Sequence, residues 1–157
     1  MTQIAAAERV ITALDVKNKE NGLALVRTLE SAVLFKVGLQ LYTAEGPALL
    51  EEIRALGKKV FLDLKLHDIP NTMAMALRSL SRLPVDLCTL HLPAGSEALR
   101  ACAAEAQRIA DTGGAAIGLL GVTRLTSLPP PDPSDPWRDV VSLAGHGVTS
   151  GVYGWIA

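Results

Sequence analysis

The chain has 157 residues, a length that suits one domain with a sizeable core. It is 49% hydrophobic and 20% charged with a formal net charge of −1, so it has no basic excess for binding nucleic acid or an anionic membrane. Its longest apolar run is about half of the ~20 residues that a membrane span needs, and its start, MTQIAAAERV, lacks the features of a signal peptide. We therefore expect a soluble, cytoplasmic protein.

Short apolar runs alternate with longer helical stretches along the chain. The predicted strands cover residues 10–15, 34–38, 59–65, 87–91, 115–123 and 152–157. The predicted helices cover residues 18–29, 43–56, 71–82, 96–109 and 137–144. This alternation indicates a parallel α/β fold, either an open doubly wound sheet or a (β/α)8 barrel. ALDVKN follows the first strand where a dinucleotide site would have G-x-G-x-x-G, which disfavours a dinucleotide-binding protein.

The chain also contains a proline-rich segment and two cysteines. SLPPPDPSDP, residues 127–136, contains five of the nine prolines, and we predict a stiff surface connection because proline fixes φ and lacks an N–H donor. Cys88 and Cys102 have no metal-ligand spacing, so we predict that both are buried free thiols.

The segment FLDLKLHDIPNT places opposite charges in one strand. Because side chains alternate along a strand, Asp63 and Lys65 share one face, while Leu62 and Leu64 share the other and face the helices. A buried charge is costly unless it is paired or meets a ligand. Asp68 follows in the next turn, where we expect it to bracket Lys65 from the other side. His67 alternates to the opposite side, so we expect it to support the site rather than to react.

Polar residues also lie at the carboxyl ends of other predicted strands: Asp15, Lys36, His91, Thr123 and Thr126. Parallel α/β barrels and open sheets build their active sites at these ends. A salt-bridge network that only stabilises the mouth of a barrel is the alternative. Charges of both signs on several strands favour the active site.

FLDLKLHDIPNT resembles the signature D-x-K-x-x-D-I-P-N-T of the orotidine 5′-phosphate decarboxylase family. ALD, FKVGLQL and GVTRLTS follow the family's order and approximate spacing. The resemblance implies a homodimeric (β/α)8 TIM barrel that converts orotidine 5′-monophosphate to uridine 5′-monophosphate and CO2 in pyrimidine biosynthesis, with no metal or organic cofactor. Only about six of the eight βα units are present, in one partial domain over residues 1–157.

The resemblance also implies the roles of four charged residues. Lys65 matches the general acid that protonates C6 of the pyrimidine, and Asp63 matches the carboxylate beside the substrate's carboxyl group. Lys36 matches the lysine that contacts the ribose and completes an alternating Lys–Asp–Lys–Asp array. Asp68 matches the residue that enters the neighbouring subunit's site, where it contacts the ribose and the lysine.

Four further residues match substrate-binding positions of the family. Asp15 corresponds to a ligand of the ribose hydroxyls. Ile69 and Thr72 correspond to residues that line the partner subunit's site. Thr126 corresponds to the hydroxyl residue that reads the pyrimidine.

The chain departs from the family in two places. The phosphate-binding Pro-Gly-Ile-Arg-type segment and the later Gly-Arg pair are absent, and HLPAGS stands where His-x-x-Gly-Gly is usual. We therefore expect a truncated barrel with exposed apolar edges that aggregates or needs a partner.

Two other functions stay open. One is a related Mg²⁺-dependent sugar-phosphate decarboxylase or synthase that shares D-x-K-x-x-D, although I-P-N-T speaks against it. The other is a non-catalytic fragment of the barrel.

Overall fold

A computed structural model of the chain describes residues 9–157. The first residues, on which the expectation about a signal peptide depends, lie outside this range. The strands are β1 (Ile11–Ala13), β2 (Leu34–Gly38), β3 (Lys59–Leu66), β4 (Leu87–His91), β5 (Gly118–Val122) and β6 (Gly154–Ile156). The helices are α1 (Lys19–Thr28), α2 (Leu39–Glu45), α3 (Pro47–Ala55), α4 (Pro70–Leu80), α5 (Ser96–Asp111) and α6 (Arg138–Thr149).

All six strands form one parallel sheet in the order β1-β2-β3-β4-β5-β6. Each strand therefore lies beside its predecessor in the chain, with helices in the connections. A doubly wound sheet would reverse its strand order at a switch point, whereas sequential order is the topology of a (β/α)8 barrel. The fold is thus a partial TIM barrel with six of the eight strands, which confirms the predicted fold class.

The helix predicted over residues 43–56 is two helices. Gly46 adopts φ 68°, which ends α2, and Pro47 begins α3 with a φ that suits the first helical turn. The last helix was predicted too short, because Gly145 and Gly147 lower helix propensity although α6 continues through them to Thr149. The first strand is shorter than predicted, so Asp15 lies beyond its end.

The core lies between the sheet and the helices. Its fully buried large side chains include Leu50, Ile53, Leu62, Leu77 and Leu99. Removing such side chains from water supplies the main stabilisation of the fold.

Both cysteines belong to this core, as predicted, and neither forms a disulfide. Burial raises the pKa of the Cys88 thiol to about 12 and that of Cys102 to about 11, so both stay protonated at neutral pH.

The loop after β4 is anchored by Leu92, which is buried in a short 3-10 turn. Two glycines make room for its side chain. A Cβ at Gly121 of β5 would overlap Leu92, and a Cβ at Gly147 of α6 would lie 2.9 Å from Leu92 Cδ2. The close approach of these glycines fixes the loop against β5 and α6, at the carboxyl end of the sheet.

Apolar side chains are exposed at both edges of the sheet, as expected for a partial barrel. Val10 precedes β1, and Tyr153 and Trp155 lie at β6 with exposed fractions of 79% and 53%. One stripe of α6, Val141 and Val148, is exposed as well. Aggregation of the isolated chain through these surfaces stays a prediction. No helix within residues 9–157 is long and apolar enough to cross a membrane.

Candidate active site

An irregularity in β3 creates the site. Leu62 pairs with Cys88 and Leu66 pairs with Leu90, so residues 63–65 of β3 lie opposite the single residue between Cys88 and Leu90 in β4. Such bulges often redirect side chains beside active sites.

Lys65, in this bulge, has φ 53° and is the single non-glycine residue with positive φ among the residues that the structure describes. A left-handed conformation of this kind costs about 1–3 kcal/mol and is typical of functional sites. The bulge and the strained backbone thus single out the strand that was predicted to carry the chemistry.

Charges of alternating sign meet at the carboxyl ends of β1, β2 and β3. Lys65 donates from Nζ to both carboxylate oxygens of Asp63 at 2.8 Å. Lys36 Nζ lies 3.9 Å from Asp63 Oδ2 and 3.2 Å from Asp15 Oδ1. A Cβ at Gly38 would lie 3.3 Å from Lys36 Nζ, so glycine leaves space for this lysine. The structure thus brings together Asp15, Lys36, Asp63 and Lys65, in a row that we call the strand-end array.

Asp63 is the buried member of the strand-end array, with 8% of its surface exposed. A buried carboxylate needs partners, and this one has an ammonium on each side. The side chain of Lys65 is 38% exposed, so its ammonium is held by Asp63 yet open to a ligand.

The sequence analysis missed one member of this site, Thr89. Its buried hydroxyl donates to Asp63 Oδ1 at 2.8 Å and accepts from the Lys65 amide at 2.8 Å. A threonine in a strand usually signals only β propensity, so nothing in the sequence marked it.

Three predicted residues lie apart from the array within this chain. Asp68 is exposed and accepts a hydrogen bond at 2.7 Å from the amide of Ile69, and among the described residues it makes no ion pair with Lys65. The expected bracketing of Lys65 by Asp68 therefore does not occur within one chain. Ile69 and Thr72, at the start of α4, are also exposed. Their predicted place in a partner's site stays a prediction.

A cleft of about 430 Å³ opens over the ends of β3, β4 and β5, and its lining does not include the four residues of the array. Its polar lining residues are His67, His91, Thr123, Arg124 and Asp139. Thr126 lies in the exposed turn just beyond this lining. Another cavity of about 450 Å³ lies at the opposite end of β5, against the alanines of α5, and offers no charged array. Of these two cavities, the cleft lies at the same end of the sheet as the array and is therefore the better place for a polar ligand.

The two histidines of the cleft lie side by side, with ring centroids 5.3 Å apart. Burial lowers the pKa of His91, and electrostatic repulsion from His67 and Lys65 lowers it further, whereas Asp63 acts in the opposite direction. The surroundings of His91 thus favour its neutral imidazole.

Arg124 connects the proline-rich segment to α6. It pairs with Asp139 at 2.9 Å and donates to the carbonyl of Pro129 at 2.6 Å. The segment is otherwise largely exposed, as predicted, and its Leu128 lines the cleft. In residues 9–157, no group of three or more His, Cys, Asp or Glu side chains is arranged to hold a metal ion.

The geometry of the array suits chemistry on an anion. The ammonium of Lys65 can stabilise a negative charge that develops on a ligand and can also donate a proton to it. The adjacent carboxylate of Asp63 pairs with the ammonium of Lys65 and orients it.

Comparison with known proteins places this geometry in a family. Residues 8–133 match the model of the "Orotidine 5′-phosphate decarboxylase / HUMPS family". A protein of Carboxydothermus hydrogenoformans named orotidine 5′-phosphate decarboxylase is 48% identical over 123 residues, which cover 78% of this chain and 51% of that protein. One of the same name from Nitratidesulfovibrio vulgaris is 40% identical over 94% of this chain and 65% of its own length. The chain spans about half the length of most of the curated relatives it matches.

Solved structures share the fold at moderate sequence identity. An orotidine 5′-phosphate decarboxylase from Lactobacillus acidophilus superposes with a TM-score of 0.80 at 30% identity, over 94% of this chain and 70% of that one. An uncharacterized conserved protein from Geobacillus kaustophilus gives a TM-score of 0.82 at 32% identity, over 94% and 72%. Sequence, fold and the family model agree, and the chain belongs to the orotidine 5′-phosphate decarboxylase / HUMPS family.

Proposed function

We propose that the protein to which this chain belongs decarboxylates orotidine 5′-monophosphate to uridine 5′-monophosphate in the cytoplasmic synthesis of pyrimidines. The observation that carries the proposal is the Lys65 ammonium, held at 2.8 Å by Asp63 on a strained backbone at the strand ends. The names of the curated relatives support the same reaction.

The proposed reaction begins when the bond between C6 and the carboxyl carbon breaks. CO2 leaves, and the electron pair stays on C6 as an sp² carbanion that no adjacent π system delocalises. The Lys65 ammonium stabilises this charge and transfers one proton to C6, which leaves a neutral amine that regains a proton from solvent. Asp63 lies beside the substrate's carboxylate and orients the ammonium of Lys65 through the pair at 2.8 Å.

The other predicted residues bind the substrate in this proposal. Asp15 and Lys36, which pair at 3.2 Å, contact the ribose hydroxyls. Thr126 reads the pyrimidine from the turn beyond the cleft. The cleft, which His67 and His91 line, accommodates the base.

The proposal includes a homodimer in which Asp68, Ile69 and Thr72 enter the partner's site. Their exposure in the single chain supports this, because Ile69 is 66% exposed although it is a large apolar residue. Mixing Lys65→Ala and Asp68→Ala variants of the full-length protein tests it. Random pairing restores roughly a quarter of the sites, since half of the dimers are mixed and each has one intact site. Two inactive variants that stay inactive after mixing would contradict the shared site.

A spectrophotometric assay of orotidine 5′-monophosphate consumption tests the proposed reaction, with CO2 and uridine 5′-monophosphate measured as products. It is run on the 157-residue chain and on the full-length protein. Turnover by either is the expected result. If both bind the nucleotide but release no CO2, the proposal fails and a non-catalytic role replaces it.

The description of the family also names HUMPS, which keeps a related Mg²⁺-dependent sugar-phosphate decarboxylase or synthase as a second candidate. The same assay with a chelator separates the two. We expect turnover of orotidine 5′-monophosphate to survive chelation. A loss of turnover that Mg²⁺ restores would favour the second candidate.

A further inference from the structure

We infer that Thr89 is a positioning residue, whose hydroxyl locks Asp63 and the backbone of Lys65 into the reactive arrangement. The inference rests on the proposed function for its kinetic consequence. Its structural part is independent of that function, since it concerns only two hydrogen bonds of the described fold.

Thr89 occupies the one position of β4 that lies opposite the bulge of β3. Regular pairing surrounds it, because Cys88 pairs with Leu62 and Leu90 pairs with Leu66. Between these pairs β3 has three residues and β4 has one, so the ladder cannot continue through the bulge. The hydroxyl of Thr89 accepts the hydrogen bond of the Lys65 amide there, at 2.8 Å.

The same hydroxyl donates its own proton to Asp63 Oδ1 at 2.8 Å. Asp63 is thereby held by two donors, the hydroxyl of Thr89 and the ammonium of Lys65. Lys36, at 3.9 Å, is the more distant cation. The hydroxyl thus keeps the carboxylate turned toward Lys65.

A hydroxyl can make both bonds because its one oxygen donates and accepts. Thr89 is completely buried, so water has no direct access to the position of its hydroxyl group. A valine has the same shape but leaves the Lys65 amide without its partner and removes one of the two hydrogen bonds that Asp63 Oδ1 accepts, which costs more than the loss of a solvated hydrogen bond.

The strained backbone of Lys65 determines how the structure responds when these hydrogen bonds are lost. A left-handed lysine persists only where its surroundings impose it. Without the Thr89 acceptor, the bulge relaxes toward regular pairing and the Lys65 ammonium moves from its place beside Asp63. A displacement of about 1 Å in a reacting group can lower a rate about 100-fold.

Two substitutions separate the hydroxyl from the shape of the residue. Thr89→Val removes both hydrogen bonds, and Thr89→Ser keeps both. Ser150→Ala is the control, because the buried Ser150 hydroxyl has no hydrogen-bond partner among the described residues. If the valine variant fails to fold, Thr89→Ala replaces it.

The first readout is kinetic and uses the full-length protein with orotidine 5′-monophosphate. We expect Thr89→Val to lower kcat about 10- to 100-fold with KM within about twofold, and Thr89→Ser to stay within about threefold of the parent. Ser150→Ala is expected to match the parent. An unchanged kcat in Thr89→Val, or a loss that Thr89→Ser shares, would overturn the inference.

The second readout is amide hydrogen exchange at Lys65, measured by NMR in the same variants. We expect exchange to accelerate at least tenfold in Thr89→Val and to stay slow in Thr89→Ser. If the parent has no turnover, the proposed function fails, but hydrogen exchange at Lys65 still tests whether Thr89 holds the Lys65 backbone. Equal protection of the Lys65 amide in the valine and serine variants would then overturn the inference.

Discussion

Two buried carboxylates of the molecule each have two basic partners, yet their surroundings differ. Asp63 lies at the strand ends between Lys36 and Lys65. Glu105 lies on α5, where Arg78 of α4 and Arg108 of α5 each make two hydrogen bonds to it at 2.6–3.0 Å. We call these three residues the helix cluster.

The basic residues explain the difference between the two places. Arginine stays protonated and forks onto both oxygens of a carboxylate, which suits a permanent connection between two helices. Lysine presents a compact ammonium that can give up a proton. The backbone differs as well, since Lys65 is strained and the helix cluster rests on regular helices. The same pairing of charges thus serves reactivity at one place and cohesion at the other.

The largest expected effect is on turnover by Lys65→Ala. Loss of the proton donor and of its charge should lower kcat of the full-length protein at least about 1,000-fold, because both contributions vanish together. Arg100→Ala, an exposed arginine of α5, is the control and should keep normal turnover. Near-normal decarboxylation by Lys65→Ala would refute its role as the acid.

The next prediction concerns thermal stability and uses substitutions that disrupt the helix cluster. Arg78→Ala should lower Tm more than Arg108→Ala, because Arg78 links α4 to α5 whereas Arg108 lies three residues from Glu105 on its own helix. Arg100→Ala controls for the loss of an arginine from α5. Melting curves by circular dichroism measure the three variants. Equal values of Tm for all three would mean that the cluster does not join the helices.

Acid should weaken the helix cluster in a defined range of pH. Hydrogen bonds from Arg108 and Arg78 hold the pKa of Glu105 well below its ordinary value of 4.5. Because the pKa is lower in the folded state, the stabilisation is complete above about pH 4.5 and is lost as pH falls toward the folded value.

Urea unfolding from pH 6 down to about pH 3 measures this loss. The free energy of unfolding of the parent should fall more steeply below about pH 4.5 than that of Glu105→Gln, which has no carboxyl group to titrate there. Identical slopes in the two proteins would show that Glu105 does not contribute.

The smallest expected effect concerns strain at the reactive lysine. Glycine accepts the φ of 53° that Lys65 adopts, whereas alanine does not. The free energy of unfolding of Lys65→Gly should therefore be roughly 0.5–1 kcal/mol higher than that of Lys65→Ala. This difference already includes the opposing effect of glycine's greater chain entropy in the unfolded state. Both variants should lack turnover. If the alanine variant is the more stable, the bulge does not hold residue 65 in a left-handed conformation.

The sequence predicted the features that depend on local periodicity. Alternation along β3 placed Asp63 and Lys65 on one face, and the regular succession of strands and helices predicted the parallel sheet. The break at Gly46 was not predicted, although it has a local signal, since Gly-Pro is a common end of one helix and start of the next.

The features that the sequence did not predict arise from pairing between distant segments. The bulge exists only because β4 lies beside β3, and the role of Thr89 follows from that register. The conformation of Lys65 likewise has no signature in its neighbours. Asp68 was expected to meet Lys65 because of its spacing, but the turn before α4 directs its carboxylate to the amide of Ile69.

The most direct test of the comparison neutralises each carboxylate without changing its shape. Asp63→Asn and Glu105→Gln are made in the full-length protein, and kcat and Tm are measured on the same preparations. We predict that Asp63→Asn lowers kcat at least about 100-fold and leaves Tm close to that of the parent. Glu105→Gln should instead lower Tm and leave kcat unchanged. A lower Tm with normal turnover in Asp63→Asn would contradict the account, because the strand-end array would then serve only to stabilise the fold.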